Sequence, residues 1–169
     1  MCHFEFFASK TLENQGFSQG HKLGAVPREI EKSVVFGYNL EMPRRKLTIL
    51  LVEDEKLIKE IYAQRIEKEG IRVISVSSTK EAEETLQARK IDLLVLDLLL
   101  PQENGLVFLK RLRKKKKYTN LPVIILTNLE DGVSLKEAQN LKAKAYFLKT
   151  DFTPAELAQK VKQILCPNE

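Results

Sequence analysis

From Leu47 onward, short apolar runs alternate with stretches in which apolar residues return every three or four positions. The runs are LTILLV (47–52), IRVISV (71–76), IDLLVLD (91–97), LPVIIL (121–126) and AYFLK (145–149). Each is short and largely apolar, the pattern of a parallel strand covered on both faces. The intervening stretches read as amphipathic helices. Ile58, Ile61, Tyr62 and Ile66 make one stripe, stopped by Gly70. STKE at Ser78 to Glu81 and TPAE at Thr153 to Glu156 both fit a capping box, and Pro154 takes the favoured first helical position. Leu157, Val161 and Ile164 form the apolar face of the last helix. Five strands, each followed by a helix, predict an α/β fold. Right-handed crossovers then produce an open parallel sheet with helices on both faces.

In such a sheet, ligands collect beyond the carboxyl ends of the strands, where the strand order reverses. The first run ends at Glu53, Asp54 and Glu55, the third at Asp97, the fourth at Thr127 and the fifth at Lys149. The second ends in Ser77 and Ser78, which serve the next helix. Taken singly, each residue has an ordinary explanation: acids favoured by a helix dipole, a turn cap at Asp97, a turn hydroxyl at Thr127, a surface lysine at Lys149. Together they place carboxylates, a hydroxyl and an ammonium on one edge. A carboxylate cluster repels itself unless a cation neutralises it. Magnesium suits it, because that ion takes oxygen ligands and needs only one or two carboxylates plus a phosphate. Beside such an ion Asp97 can act as a nucleophile toward phosphorus. Magnesium, Lys149 and the Thr127 hydroxyl with nearby amides would then face the three phosphoryl oxygens.

Composition narrows the classes further. Apolar residues make up 43% and charged residues 30%, as in ordinary globular proteins, and 169 residues suit one domain with a tail. No apolar run nears the roughly 20 residues of a membrane span, and the opening MCHFEFFASK lacks the features of a secretory signal. The cytoplasm is the expected location. Cys2 and Cys166 lie near opposite ends without paired spacing and read as two thiols, not a disulfide or metal site. The net charge of +5 concentrates in KRLRKKKK, Lys110 to Lys117. With only Tyr118 nearby as a stacking aromatic, that run reads as a solvated helix end offsetting the dipole rather than a nucleic-acid patch. The first 41 residues show no sustained period yet hold five of the eight phenylalanines. Met42 opens a stretch that would make a complete domain start. The expected division is an extension over residues 1–45, irregular or an upstream reading of the message, and a domain over 46–166.

LLVEDE, VLDLLLPQENGL, VIILTN and YFLK, in this order, resemble the receiver domain of two-component response regulators, over about Lys46 to Leu165. The resemblance implies a flavodoxin-like sheet of order 2-1-3-4-5 and a single-domain regulator like those of chemotaxis. It implies that Asp97 takes a phosphoryl group from a histidine kinase or phosphotransfer protein. Asp54, Asp97 and the Leu99 carbonyl would then hold magnesium directly, and Glu53 through water. Thr127 and Tyr146 would form the pair that rearranges on phosphorylation, with output through the face of the fourth helix, fifth strand and fifth helix. Four positions depart from the family pattern. Thr150 follows Lys149 where proline is usual, so a cis bond there would cost about 3–4 kcal/mol. Asn128 is bulkier than the usual small residue. Leu99 and Leu129 are apolar where many relatives carry polar groups, which predicts slow self-dephosphorylation.

The main competing function is a receiver-like interaction module that works without phosphorylation. A magnesium-dependent phosphatase with an aspartyl nucleophile would want a second Asp at the place of Leu99. A nucleotide-binding domain would need a P-loop or G-x-G-x-x-G, and neither occurs. His3 and His21 both lie in the extension, so the donor histidine is expected on another protein. DNA contact is expected to be unlikely, since only four residues follow Leu165. Contact with a downstream protein is the expected output, membrane association is not expected, and a homodimer stays open.

Overall fold

The computed structural model describes residues 45–166. All of the expected extension except Arg45 lies outside the described residues, as does Cys2. The element order is β1 (Thr48–Val52), α1 (Lys56–Glu67), β2 (Arg72–Val76), α2 (Thr79–Ala88), β3 (Leu93–Leu96) and α3 (Gly105–Arg113). After a 3-10 turn at Lys116–Tyr118 follow β4 (Val123–Thr127), α4 (Gly132–Asn140), β5 (Ala145–Leu148) and α5 (Pro154–Leu165). All pairings are parallel, in the order β2-β1-β3-β4-β5. The order reverses at β1, where Ile49 is in register with Val73 on one side and Leu93 on the other.

Alternation along the strands sorts the core into two layers. Leu50, Val52, Leu94, Leu96, Val123 and Ile125 pack with Leu86 of α2 and Phe108, Leu109 and Leu112 of α3. Ile49, Leu51, Leu93, Val95, Ile124 and Leu126 face the other way, onto Tyr62 and Ile66 of α1 and Leu157 and Val161 of α5. A fully buried Leu or Ile stabilises by roughly 1.5–3 kcal/mol relative to exposure. The three central strands, buried at every position, therefore contribute most. The expectation that all five strands are covered on both faces fails at the sheet edges. β2 leaves Arg72 and Ser75 exposed, and β5 is partly exposed throughout, because each has a neighbour on one side only.

The α1 stripe also needs correction. Ile58, Tyr62 and Ile66 lie at four-residue spacing and face the sheet, but Ile61 is 48% exposed. The helix ends at Glu67, and Gly70, with φ of +80°, turns the chain into β2 in a conformation that costs glycine little. At α5 the capping box is complete, Thr153 and Glu156 each bonding the other's backbone N–H. At α2 the box is shifted: Ser78 accepts from the Glu81 N–H, but the Glu81 carboxylate takes the Ser77 N–H. Part of the basic run is engaged internally. Arg111 pairs with Glu83 and Glu103, and Lys115 with Glu83. Cys166, just past α5, is not a free thiol, contrary to the expectation of unpaired cysteines.

Candidate functional site

The backbone ladder continues one residue beyond the strands, and that extension builds the site. The Glu53 N–H donates to the Val76 carbonyl and the Asp97 N–H to the Val52 carbonyl, both at 3.1 Å. Glu53 and Asp97 thus emerge side by side from β1 and β3, 1% and 4% exposed. One β4–β5 bond beyond Leu148, the Lys149 N–H donates to the Thr127 carbonyl at 2.9 Å. This register aims the Lys149 ammonium back across β4 into the acids. It lies 2.6 Å from Glu53 Oε2 and 2.6 Å from Asp97 Oδ2. The Lys149–Thr150 bond is trans, there being no cis peptide among the described residues.

Glycine at position 105 is a condition of this arrangement. A Cβ added there would lie 2.2 Å from the Asp97 carbonyl oxygen, so only glycine lets α3 approach the backbone of the acid. The Gly105 N–H, in turn, donates to the Leu98 carbonyl at 3.0 Å. The loop also orients Asp97 itself, because its Oδ1 accepts from the Leu99 N–H at 3.0 Å. Leu99 itself is 51% exposed.

Burial pushes the Glu53 carboxyl above its ordinary range, the Lys149 bond and charge oppose the rise, and the Asp97 charge adds to it. For Lys149 burial works against the charged form, but the bonds to Asp97 and Glu53 outweigh it and hold the ammonium above its usual value. Glu53, Asp54 and Asp97 each offer an oxygen, and these oxygens lie within 4.8 Å of one another. Three carboxyl groups gather where one ammonium contacts two of them, so the donor set fits a divalent, oxygen-seeking cation such as magnesium. Asp54 is partly exposed and Glu55 exposed, which leaves the mouth of the group open to solvent.

Thr127 is fully buried, and its hydroxyl accepts from the Leu129 N–H at 3.3 Å. Among the described residues no hydrogen bond joins this hydroxyl to Asp97 or to the Lys149 ammonium; Lys149 meets Thr127 only through the backbone. Tyr146, half-buried on β5, donates its hydroxyl to the Leu129 carbonyl at 2.5 Å. The two residues expected to move together thus meet through the backbone of one residue between them. That role of Leu129 has no sequence signal, because it depends on main-chain atoms. Sequence reasoning also placed Tyr62 in an apolar stripe alone. It is buried on α1, and the charges of Lys149, Glu53 and Asp97 all reach it. Burial raises its phenol, Lys149 lowers it, and the two acids raise it. A polar-tipped residue inside the stripe was the available signal. Asn128, by contrast, is exposed.

Residues 49–162 match the response regulator receiver domain. The chain belongs to that family. This receiver is similar to the transcriptional regulatory protein CrdR of Helicobacter pylori, 37% identical over 115 residues that cover 68% of this chain and 53% of CrdR. It is likewise similar to the transcriptional regulatory protein BasR of Escherichia coli, 38% identical over 119 residues covering 70% and 52%. Among solved structures it resembles a CheY-like response regulator receiver domain protein from Methanospirillum hungatei. The TM-score there is 0.66 at 25% identity, covering 72% of this chain and 94% of the other. The receiver chain spans about half the length of the curated relatives it matches. Their names are those of transcriptional regulators, so they lend no support to the expectation that DNA contact is unlikely. No helix among the described residues is long and apolar enough to cross a membrane.

Proposed function

We propose that this receiver is a phosphorylation-activated switch with Asp97 as the phosphoacceptor and Lys149, Thr127 and Tyr146 as the residues that register the phosphoryl group. The observation that carries this reading is the Lys149 ammonium, shared at 2.6 Å between the buried carboxylates of Glu53 and Asp97. A buried cation bridging two acids is poised to turn toward a third anion placed beside them. Glu53, Asp54 and Asp97, with the Leu99 carbonyl, would hold magnesium, Glu53 through water. When bound, that ion supplies charge neutralisation for the phosphoryl oxygens.

An Asp97 oxygen attacks the phosphorus of a phosphohistidine on a kinase or phosphotransfer protein. The P–N bond breaks as the P–O bond forms, and the released imidazole takes up a proton from solvent. Lys149 leaves Glu53 for a phosphoryl oxygen. The Thr127 hydroxyl turns to donate to a phosphoryl oxygen, a charge-assisted bond, and in moving toward it draws away from the Leu129 N–H it now accepts from. Leu129 is thereby freed, and with it the carbonyl that holds the Tyr146 hydroxyl. The output is a changed contact surface on α4, β5 and α5, read by a downstream protein in the cytoplasm. Leu99 and Leu129 present no side-chain donor for a hydrolytic water, so the acyl phosphate is expected to be long-lived.

The test is incubation of the chain with acetyl phosphate and magnesium, followed by peptide mapping by mass spectrometry. One phosphoryl group on Asp97, absent from Asp97→Asn, is the expected result. A wild-type chain that gains none would leave the unphosphorylated interaction module as the better reading.

A further inference from the structure

Arg113, the last residue of α3, takes part in no ion pair among the described residues. Its guanidinium instead donates to four backbone carbonyls. Nε reaches Leu141 at 2.8 Å, Nη1 reaches Tyr118 at 2.6 Å and Leu121 at 2.9 Å, and Nη2 reaches Lys142 at 3.3 Å. Burial opposes its charge, yet an arginine stays protonated in proteins, so the carbonyls supply what a carboxylate otherwise would. Two of the acceptors lie on the approach to β4, and two form the exit of α4. One side chain therefore ties together the end of α3, the entry to β4 and the end of α4.

The α4 exit is itself tightly wound. Lys142 N–H donates to Gln139 and Ala143 N–H to Ala138, each at 2.9 Å, the paired bonds of a Schellman closure. That closure needs a left-handed residue, and here it is lysine, with φ of +57°, the one positive-φ residue other than glycine among the described residues. Such a conformation comes readily to glycine and poorly to lysine. Something must hold it, and the carbonyls of Leu141 and Lys142 are the ones Arg113 grips.

The rest of α4 is held loosely. Of its nine residues Ala138 alone is buried, whereas α3, equally long, buries five. Val133 in its first turn is 76% exposed and Leu135 is 38% exposed. The N-terminal end hangs from the segment that carries Leu129, with Asp131 accepting from the N–H groups of Val133 and Ser134. Helix α4 is thus gripped at one end and attached at the other to the residue shared by Thr127 and Tyr146.

We propose that Arg113 is a positioning residue that makes the α4 exit a fixed pivot, so that rearrangement at Thr127 and Leu129 swings the Val133 end. The inference rests on the reading of Asp97 as phosphoacceptor. Nine residues of helix make a lever of about 13 Å, so a small rotation at Leu141 produces its largest displacement at Val133, an exposed apolar residue. Without the clamp the same loop motion is dissipated, because both ends of α4 yield.

The chain contains no tryptophan, so Val133→Trp introduces a single indole at the moving end. Amide exchange at Leu141, Lys142 and Ala143 reports the fixed end. Arg113→Met removes the donors at similar length, and Arg113→Lys keeps the charge without the planar fork. Loss of the clamp should speed exchange at those three amides about tenfold or more in the unphosphorylated protein. It should leave phosphorylation of Asp97 by acetyl phosphate within about twofold of wild type, the site being remote. The change in indole emission on phosphorylation should fall by at least about half, since coupling through one element depends on its rigidity. Lys142→Gly, added to Arg113→Lys, should restore part of the amide protection by removing the unfavourable backbone conformation. Unchanged exchange in both Arg113 variants would overturn the clamp, and an undiminished emission change would overturn the lever. Phosphoryl occupancy is read by mass on the same samples. If Asp97 stays unmodified in every variant, the switch reading itself fails and takes the lever with it, while exchange still decides the clamp.

Discussion

Gly105→Ala tests whether the Asp97 backbone is packed as closely as its geometry indicates. The new methyl group would lie 2.2 Å from the Asp97 carbonyl oxygen, 3.0 Å from Leu98 Cα and 3.1 Å from the Asp97 carbonyl carbon. Ordinary contact begins near 3.4 Å, so α3 and the Asp97–Leu98 backbone must separate by about an ångström. Flexible side chains can give way by such an amount, but these are main-chain atoms. They are held by the Asp97 N–H bond to Val52 and the Gly105 N–H bond to Leu98. Overpacking of this kind costs roughly 1–3 kcal/mol. Against it stands the helix preference of alanine over glycine, at most about 1 kcal/mol and less at the first helical position. The net expectation is a loss of about 1–2 kcal/mol. With a urea dependence of roughly 1–3 kcal/mol/M for a domain of this size, the unfolding midpoint should fall by about 1 M. A displacement of about an ångström at a reacting group can cost about a hundredfold in rate. Phosphorylation of Asp97 should slow accordingly in protein that circular dichroism shows to be folded. A variant matching wild type in both midpoint and rate would refute the close approach and the importance assigned to it.

Other substitutions probe other parts. Lys149→Met leaves the buried Glu53 and Asp97 without their shared cation. Breaking such a pair costs roughly 3–5 kcal/mol, reduced to about 1–3 kcal/mol net where Glu53 takes up a proton. Because that proton binds more readily in acid, the loss measured by urea unfolding without divalent ions should be smaller at pH 5 than at pH 7, and equal losses would contradict the assignment. Thr153→Ala should lower stability by about 1 kcal/mol through loss of the α5 cap, again read from the urea midpoint. Glu156 is held below the usual glutamate range, first by the Thr153 backbone N–H and then by its hydroxyl. A depressed acid adds stability above its unfolded value and loses it as pH falls through its folded value. Glu156→Gln should therefore flatten the acid limb of the stability profile and leave the neutral limb parallel to wild type. Leu129→Asn offers a polar group to a hydrolytic water and should shorten the acyl-phosphate lifetime by about tenfold, as followed by phosphoprotein gel, where an unchanged lifetime would count against the role given to Leu129.

Much of this was legible from local pattern. Short, largely apolar runs located all five strands, and capping residues located the starts of α2 and α5. Those features depend on neighbours a few residues apart, so the chain carries them wherever it lies. The candidate residues were legible as types at strand ends for the same reason. Exposure was less so, because helical spacing cannot tell Ile61 from Tyr62 when both flank one stripe, and strand pattern alone does not mark an edge.

Local pattern along the chain thus supplied the set of elements, most of the apolar stripe on α1 and α5, and the chemistry available at one edge of the sheet. Tertiary structure decided how that chemistry is wired. Lys149 reaches Asp97 across 52 residues of chain because β3, β4 and β5 pair in a particular register. Thr127 and Tyr146 share Leu129, and Arg113 grips the end of α4, through backbone atoms that every residue possesses. Main-chain donors and acceptors are identical along the chain, so no pattern of side chains announces which of them will meet; only the packing of helices on a sheet of fixed order selects the pairs.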